Sequence, residues 1–180
     1  MSSSQTKLTY NEYCLFPDDG RRHEIIDGEH FMNPAPSTYH QTVSRRLQYF
    51  LYTAIELPGL GQVFNAPIDL QFSPYDVVQP DLVVVMNDRK IITPAKIKGV
   101  PNLTIEILSP SSEQHDRELK FSLYERHHVD EYWIVDPLDH KIQQSVLDAN
   151  RKRYETSLHS DAIATATITP TVEIALTEVW

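Results

Sequence analysis

The sequence predicts an α/β protein with a mixed central β-sheet flanked by helices. Residues 81–86 and 103–108 are apolar on both faces except for one acid each, which is typical of central strands covered on both sides. Helical periodicity in residues 38–57 and 112–127 alternates with these strand patterns. Additional β-hairpins are expected in the N-terminal and C-terminal parts, because turn signals there separate short strand-like runs.

Length and composition fit one domain over residues 1–180, with residues 1–6 expected to be disordered. The hydrophobic content of 41% and the charged content of 23% are ordinary for a globular protein. No apolar run approaches the ~18 residues that a membrane span needs, so no membrane insertion is expected. The first residues lack a secretory signal pattern, and a cytoplasmic location is therefore expected.

The formal charge of −9 argues against tight non-specific binding to nucleic acid, which depends on Lys and Arg neutralising phosphates. Local basic clusters could still contact a nucleic acid, although each is more typical of a solvated surface or turn. They are Arg21 with Arg22, Arg45 with Arg46, Lys96 with Lys98, and residues 151–153.

The N-terminal half begins with a short helix near Thr9, which has the capping-box spacing to Glu12. A hairpin follows, with strands 22–26 and 29–32 joined by Asp27-Gly28, a pair suited to positive φ angles. Ser37 or Thr38 then caps a long helix that Pro58-Gly59 ends. Its core-facing residues are expected to be Val43, Leu47, Phe50, Leu51, Ala54 and Leu57.

The second half starts with a strand pattern over residues 62–72, expected to be one strand bent near Pro67. After the two central strands, Ser112 is expected to cap a helix to about His127, with Leu119 and Leu123 in the core. Residues 131–135 return to strand. Hairpin pieces follow, with turns near Asp139 and residues 148–150 and a last strand at 172–176.

The lone acids in the two central strands are the main functional signal. An ionised carboxylate among buried apolar residues needs a cation, so Asp81 and Glu106 indicate a bound metal or paired basic groups. If the strands are neighbours, both acids can converge on one side of the sheet. Mg²⁺ would suit such a site, with the backbone carbonyl of Ile107 as a further oxygen.

The second helix carries Asp116, Lys120 and Tyr124 at intervals of four, which places them along one stripe. Lys120 could orient an attacking water or stabilise charge on phosphorus, with Asp116 holding its ammonium group. An intrahelical Asp–Lys pair on a solvated face is the commoner origin of such spacing, and Tyr124 more often packs than reacts.

An ordered set of motifs resembles the Uma-type restriction endonuclease family of the PD-(D/E)XK nuclease superfamily, over residues 8 to 140. The matching segments are residues 24–29, His40, residues 79–82, residues 106–112, Asp116 with Lys120 and Tyr124, and residues 131–137.

The resemblance implies a restriction-endonuclease-like fold and hydrolysis of DNA phosphodiester bonds with Mg²⁺, for which Mn²⁺ can substitute. Asp81 and Glu106 would be metal ligands, Lys120 the catalytic lysine and Glu24 an accessory acid. His40 would either contact phosphate or cap its helix. Two departures from the family pattern concern Leu108, where the superfamily usually has its lysine, and His128, where the family usually has glycine.

Two alternatives and an expected homodimer accompany this prediction. Cutting both strands needs two sites, which favours a homodimer. A catalytically inactive module of the same fold could bind DNA or protein, as the charge of −9 and the displaced lysine suggest. A phosphoesterase acting on a nucleotide or RNA would use the same metal chemistry. The eight histidines lack zinc-site spacing.

Overall fold

The computed structural model describes residues 7–109, 115–150, 152–160, 163–168 and 171–180. The described chain is a mixed α/β fold with three sheets. In chain order the first half contains α1 (Tyr10–Tyr13), β1 (Arg22–Ile26), β2 (Glu29–Asn33), α2 (Thr38–Leu51), β3 (Gly61–Asn65), β4 (Leu70–Ser73), β5 (Asp76–Val78) and β6 (Leu82–Met86). The second half contains β7 (Ile97–Lys98), β8 (Leu103–Ile107), α3 (Phe121–Arg126), β9 (Glu131–Asp136), β10 (Lys141–Asp148), β11 (Arg153–His159), β12 (Ile163–Ala166) and β13 (Val172–Ala175).

The central sheet has six described strands in the order β11-β10-β9-β8-β6-β3. The β8–β9 pair is parallel and the other pairs are antiparallel. Every residue of β6 and β8 is buried, as the sequence pattern predicts for strands covered on both faces. The two acid-bearing strands therefore lie next to each other inside the sheet.

Different elements cover the two faces of this sheet. On one face α2 contributes Val43, Leu47 and Leu51 to a core shared with β12 and β13. On the other face α3 packs with a second sheet of order β2-β1-β5-β4-β7. The prediction of helices on both sides is correct, and the second sheet adds a layer that the sequence pattern did not indicate.

Local signals at the first helix and hairpin are confirmed. Thr9 forms the predicted capping box with Glu12 at the start of α1. Asp27 and Gly28 have φ angles of 51° and 79°, which is the conformation that a tight two-residue turn requires. Ser37 caps α2, with its hydroxyl accepting the backbone N–H of His40.

The predicted bent strand over residues 62–72 is wrong. Two strands lie there in two sheets: β3 pairs with β6 in the central sheet, and β4 pairs with β5 and β7 in the second. The intervening segment thus carries the chain from one sheet layer to the other.

A π-helical stretch directly follows α2, and another directly precedes α3; both change which residues face the core. The chain is π-helical over Tyr52–Glu56 and again over His115–Lys120. A π-turn takes an extra residue into each turn, so it shifts the helical phase that regular spacing assumes. Leu57 and Leu119, both predicted to face the core, are therefore 66% and 41% exposed, whereas Ile55 and Leu123 are fully buried.

The predicted disordered start at residues 1–6 and the predicted cap at Ser112 lie outside the described residues. Among the helices that the structure describes, none has the length and apolar content needed to cross a membrane.

Candidate active site

The strand register brings Asp81 and Glu106 together. Leu82 of β6 is opposite Ile105 of β8, and the same register continued by one residue places Asp81 opposite Glu106. Opposite residues of an antiparallel pair share a face of the sheet. The backbone N–H of Ile107 donates to Asp81 Oδ2 at 2.9 Å, which fixes the carboxylate against β8.

Asp81 is surrounded by donors. Arg22 Nη1 donates to Oδ1 at 2.8 Å, and His40 Nε2 lies 3.0 Å from Oδ2. Burial by itself raises the pKa of Asp81, but the hydrogen bond and charge of His40, the charge of Arg22 and the Ile107 N–H outweigh it. They lower the pKa from 3.8 to about 2, so Asp81 is an anion at neutral pH.

Glu106 has the opposite behaviour. Lys120 Nζ and the Tyr124 hydroxyl both donate to its Oε1, at 2.9 and 2.7 Å. Burial raises the pKa of Glu106 from 4.5 to about 8, because the charge of Lys120 offsets only part of that cost while Asp116, Asp81 and Glu24 add negative charge. In the absence of another cation, Glu106 therefore holds a proton near neutral pH.

Lys120 lies at the centre of the acidic cluster. Its ammonium is 2.9 Å from Glu106, 3.0 Å from Glu24 and 3.6 Å from Asp116, and its side chain is 1% exposed. Burial lowers the pKa of Lys120, but these carboxylates raise it above its ordinary value. The Asp–Lys spacing on this helix thus marks a buried ion cluster, and the commoner solvated-face interpretation is wrong here.

Glu24 reaches this cluster from the hairpin. It is fully buried in β1, where its Oε2 accepts from Asn33 Nδ2 across the hairpin and its Oε1 accepts from the backbone N–H of Gln79. Asn33 and Gln79 hold a carboxylate that would be a surface acid in most hairpins. The hairpin thereby closes the site from the side opposite β8.

A small cavity lies among these groups. It measures about 10 Å³, close to the space that one water molecule occupies. Its polar lining consists of Arg22, Asn33, His40, Asp81, Glu106, Ser109, Asp116 and Lys120, with Ile107 beside them. A larger groove of about 390 Å³ adjoins it and shares Arg22, His40 and Asp81.

The donor set at the cavity fits a hard divalent cation. Four acids, those of Glu24, Asp81, Glu106 and Asp116, have only two permanently charged cations beside them, Arg22 and Lys120, so the acids are in excess. No group of three or more His, Cys, Asp or Glu side chains in the described chain is arranged to ligate a metal alone. Mg²⁺ is usually held by one or two carboxylates and several waters, so its binding does not require such a group.

The structure thus brings together all the residues singled out from the sequence, namely Glu24, His40, Asp81, Glu106, Ile107, Asp116, Lys120 and Tyr124. Arg22 was missed as a site residue. Strand alternation could have indicated it, because Arg22 and Glu24 are two residues apart and so share a face of β1. Leu108, at the usual lysine position, packs in the apolar cluster with Tyr124.

Comparison with protein families identifies the relatives of this chain. Residues 9–177 match the model of the Uma2 family, which is described as "Putative restriction endonuclease". The chain belongs to this family. Membership supports a nuclease-type function.

Two individual proteins illustrate the relationship. An "Uncharacterized protein slr1290" of Synechocystis sp. is 30% identical over 122 residues, which are 66% of this chain and 62% of that protein. The crystal structure of a "putative nuclease belonging to DUF820" from Anabaena variabilis has a TM-score of 0.78 at 18% identity, covering 96% of this chain and 97% of that one. At this identity the second likeness concerns the fold, and it confirms the predicted nuclease-like α/β architecture.

Proposed function

We propose that this Uma2 chain is a metal-dependent endonuclease that hydrolyses DNA phosphodiester bonds with Mg²⁺, for which Mn²⁺ can substitute. One observation carries the proposal: Asp81, Glu106 and Lys120 line the same cavity beside an open groove. Two carboxylates can hold the cation of metal-assisted phosphodiester hydrolysis, and a lysine beside them can stabilise the charge that develops on phosphorus.

Each site residue has a distinct role in the proposed reaction. Asp81, Glu106 and the Ile107 carbonyl would hold the cation, which when bound polarises a phosphoryl oxygen and lowers the pKa of water. Lys120 offers its ammonium to the attacking water or to the charge that develops on phosphorus. Asp116 and Glu24 position the ammonium, and Tyr124 orients the Glu106 carboxylate.

Protonation of Glu106 links this role to pH. The two-carboxylate site requires that Glu106 lose the proton that burial favours, and the pKa of about 8 places this loss close to physiological pH. His40 and Arg22 meanwhile keep Asp81 ionised. Asp81 is therefore ionised across the physiological pH range, whereas Glu106 becomes an anionic ligand only as it loses its proton.

The alternative is a catalytically inactive nuclease-fold module that binds DNA or protein. Its support is that Lys120 already has three carboxylate neighbours, which suffices to explain its burial as structural. In that case the acids would hold the fold together without binding a metal.

Cleavage of supercoiled plasmid DNA in Mg²⁺ and in Mn²⁺ tests the proposal with Asp81→Asn, Glu106→Gln and Lys120→Met. We expect each variant to lose at least about 100-fold in rate, as groups that act on transition-state charge typically do. The surface pair Asp139 and Lys141 supplies the controls Asp139→Asn and Lys141→Ala, which should cleave like wild type. Equal rates in all proteins would contradict the assignment, and a parallel RNA substrate separates the phosphoesterase alternative.

A further inference from the structure

Arg22 occupies the boundary between the cavity and the groove. It is the first residue of β1, and its Nη1 contacts Asp81 Oδ1 at 2.8 Å and the Gln79 carbonyl at 3.4 Å. Its side chain is 20% exposed, whereas that of Asp81 is 6% exposed. Arg22 therefore links a buried acid to a surface that a ligand can reach.

Only part of the guanidinium is engaged. Within the described residues both hydrogen bonds of Arg22 use Nη1, and the buried Nε has no partner. Arginine carries five N–H donors in a planar fork, and phosphate is a ligand that such a fork binds through two parallel hydrogen bonds. Nε is unpaired but buried, so the guanidinium must move away from Asp81 before Nε and Nη2 can face an oxyanion.

The three donors to Asp81 differ in how easily they can leave. The Ile107 N–H belongs to the central sheet, and His40 is buried in α2. Arg22 is the donor with solvent contact and the permanent positive charge. A divalent cation at Asp81 would repel the guanidinium and compete with it for the same carboxylate.

The groove beside Arg22 carries groups that suit a phosphate-bearing chain. Its volume is about 390 Å³, and Arg21, Gln41, Ser44, Asn65 and Gln79 line it. Asp18 and Asp81 are the acids in this lining. A guanidinium released from Asp81 would stand at the wall of this groove, next to the cavity.

We propose that Arg22 exchanges partners: it holds Asp81 in the metal-free protein and binds a backbone phosphate of the nucleic acid once a divalent cation occupies Asp81. The inference rests on the proposed function and assigns a phosphate contact to that site. Metal binding and DNA binding would then be coupled, because the cation frees the arginine that binds the phosphate.

Calorimetric titration with Mn²⁺ alone tests the first half, using wild type, Arg22→Gln and Arg22→Lys. Removing the competing charge should make Arg22→Gln bind Mn²⁺ about 3- to 10-fold more tightly, whereas Arg22→Lys should stay close to wild type. Arg45→Gln makes the same charge change on an exposed residue outside cavity and groove, and it should leave Mn²⁺ affinity unchanged. Thermal unfolding in EDTA verifies that each variant is folded.

Fluorescence anisotropy of a labelled DNA duplex, with and without Mn²⁺, tests the second half. Mn²⁺ should raise the DNA affinity of wild type, and this Mn²⁺-dependent gain should be about 5- to 10-fold smaller in Arg22→Gln. Arg22→Lys should lose a smaller part, since it keeps the charge without the fork.

Tighter Mn²⁺ binding together with a smaller Mn²⁺-dependent gain in DNA affinity in Arg22→Gln distinguishes this exchange from a purely structural role of Arg22. Weaker Mn²⁺ binding by Arg22→Gln, or tighter Mn²⁺ binding with an unaltered DNA response, would overturn the inference and leave the proposed function standing. Absence of Mn²⁺ binding by wild type would contradict both the inference and the proposed function. Should Arg22→Gln fail to fold, a DNA response of Arg22→Lys equal to wild type would overturn the inference.

Discussion

Glu106 is buried beside three other carboxylates, and one lysine neutralises only part of that charge. The protonated form of Glu106 is favoured in the folded protein, with its pKa raised from 4.5 to about 8. Because the folded state keeps a proton that the unfolded state releases, stability is lost as the pH rises between these two values.

Glu106→Gln should therefore remove this pH dependence. Glutamine is a neutral analogue that can still accept from Lys120 and Tyr124, so the variant should be more stable than wild type at pH 8 in EDTA. Urea unfolding from pH 5 to pH 8 measures the effect. Glu125→Gln is the control. Burial raises the pKa of Glu125, but the backbone N–H of Tyr154 and the side chain of Arg153 lower it below its ordinary value. Identical pH profiles for Glu106→Gln and wild type would contradict this account.

His128 has a backbone conformation that favours glycine. Its φ angle is 58°, in the left-handed region that disfavours side chains, and its backbone N–H closes the end of α3 by donating to the Glu125 carbonyl at 3.0 Å. The side chain is exposed.

We expect His128→Gly to stabilise the protein by about 0.5–1 kcal/mol, because relief of left-handed strain exceeds the entropy that glycine adds to the unfolded chain. Ser122→Gly, at an exposed position inside α3, should instead destabilise by about 0.5 kcal/mol. Thermal unfolding measures both variants. A loss of stability in both would show that backbone strain at residue 128 is small.

At the residue scale, sequence reasoning found the acids because a lone carboxylate in an apolar strand is conspicuous. Arg22 was missed because an arginine at a strand end resembles any surface cation until its partner is known. Asp116 was predicted as an ionic partner of Lys120 from its spacing, but Glu24 could not be derived as one, since it comes from a hairpin 96 positions earlier in the chain (120 − 24). Such contacts depend on how sheets pack against each other.

At the element scale, the π-turns explain the largest errors in the predicted core. Regular spacing of 3.6 residues per turn places Leu119 with Leu123, but the turn over His115–Lys120 exposes Leu119 and buries Asp116 and Lys120. π-turns frequently occur at functional sites, and this one carries the acid and the lysine of the candidate site.

Two alanine substitutions test the helical phase that the π-turn over His115–Lys120 imposes. Leu119→Ala should change the free energy of unfolding by less than about 0.5 kcal/mol, because the side chain is partly exposed. Leu123→Ala should cost about 2–5 kcal/mol, because it empties a buried position. Denaturant unfolding measures both. Comparable losses would indicate that the helix keeps regular α-helical phase.

The division of residues 62–72 between two sheets was not predictable from alternation alone. Both β3 and β4 alternate like strands, and nothing in their pattern states that one joins β6 and the other β5. The hairpin of β1 and β2 was predictable because its turn residues determine it locally.

At the scale of the whole molecule, the charge of −9 argues against tight non-specific binding to DNA, so the proposed nuclease would have to use local cationic contacts. We propose that two copies form a homodimer, since cleavage of both strands needs two sites. Sedimentation should then show a dimer at micromolar concentration or on addition of DNA. A monomer in both conditions would contradict the dimer, but not the chemistry of a single site.

The central claim is that Asp81 and Glu106 share a divalent cation beside Lys120. A crystal soaked in Mn²⁺ at pH 8 and measured for anomalous scattering tests it most directly. We expect a peak about 2.0–2.3 Å from an oxygen of each carboxylate, in the cavity that Lys120 also lines. A structure of the same crystal with no peak in this cavity, or with Mn²⁺ bound only elsewhere, would contradict it.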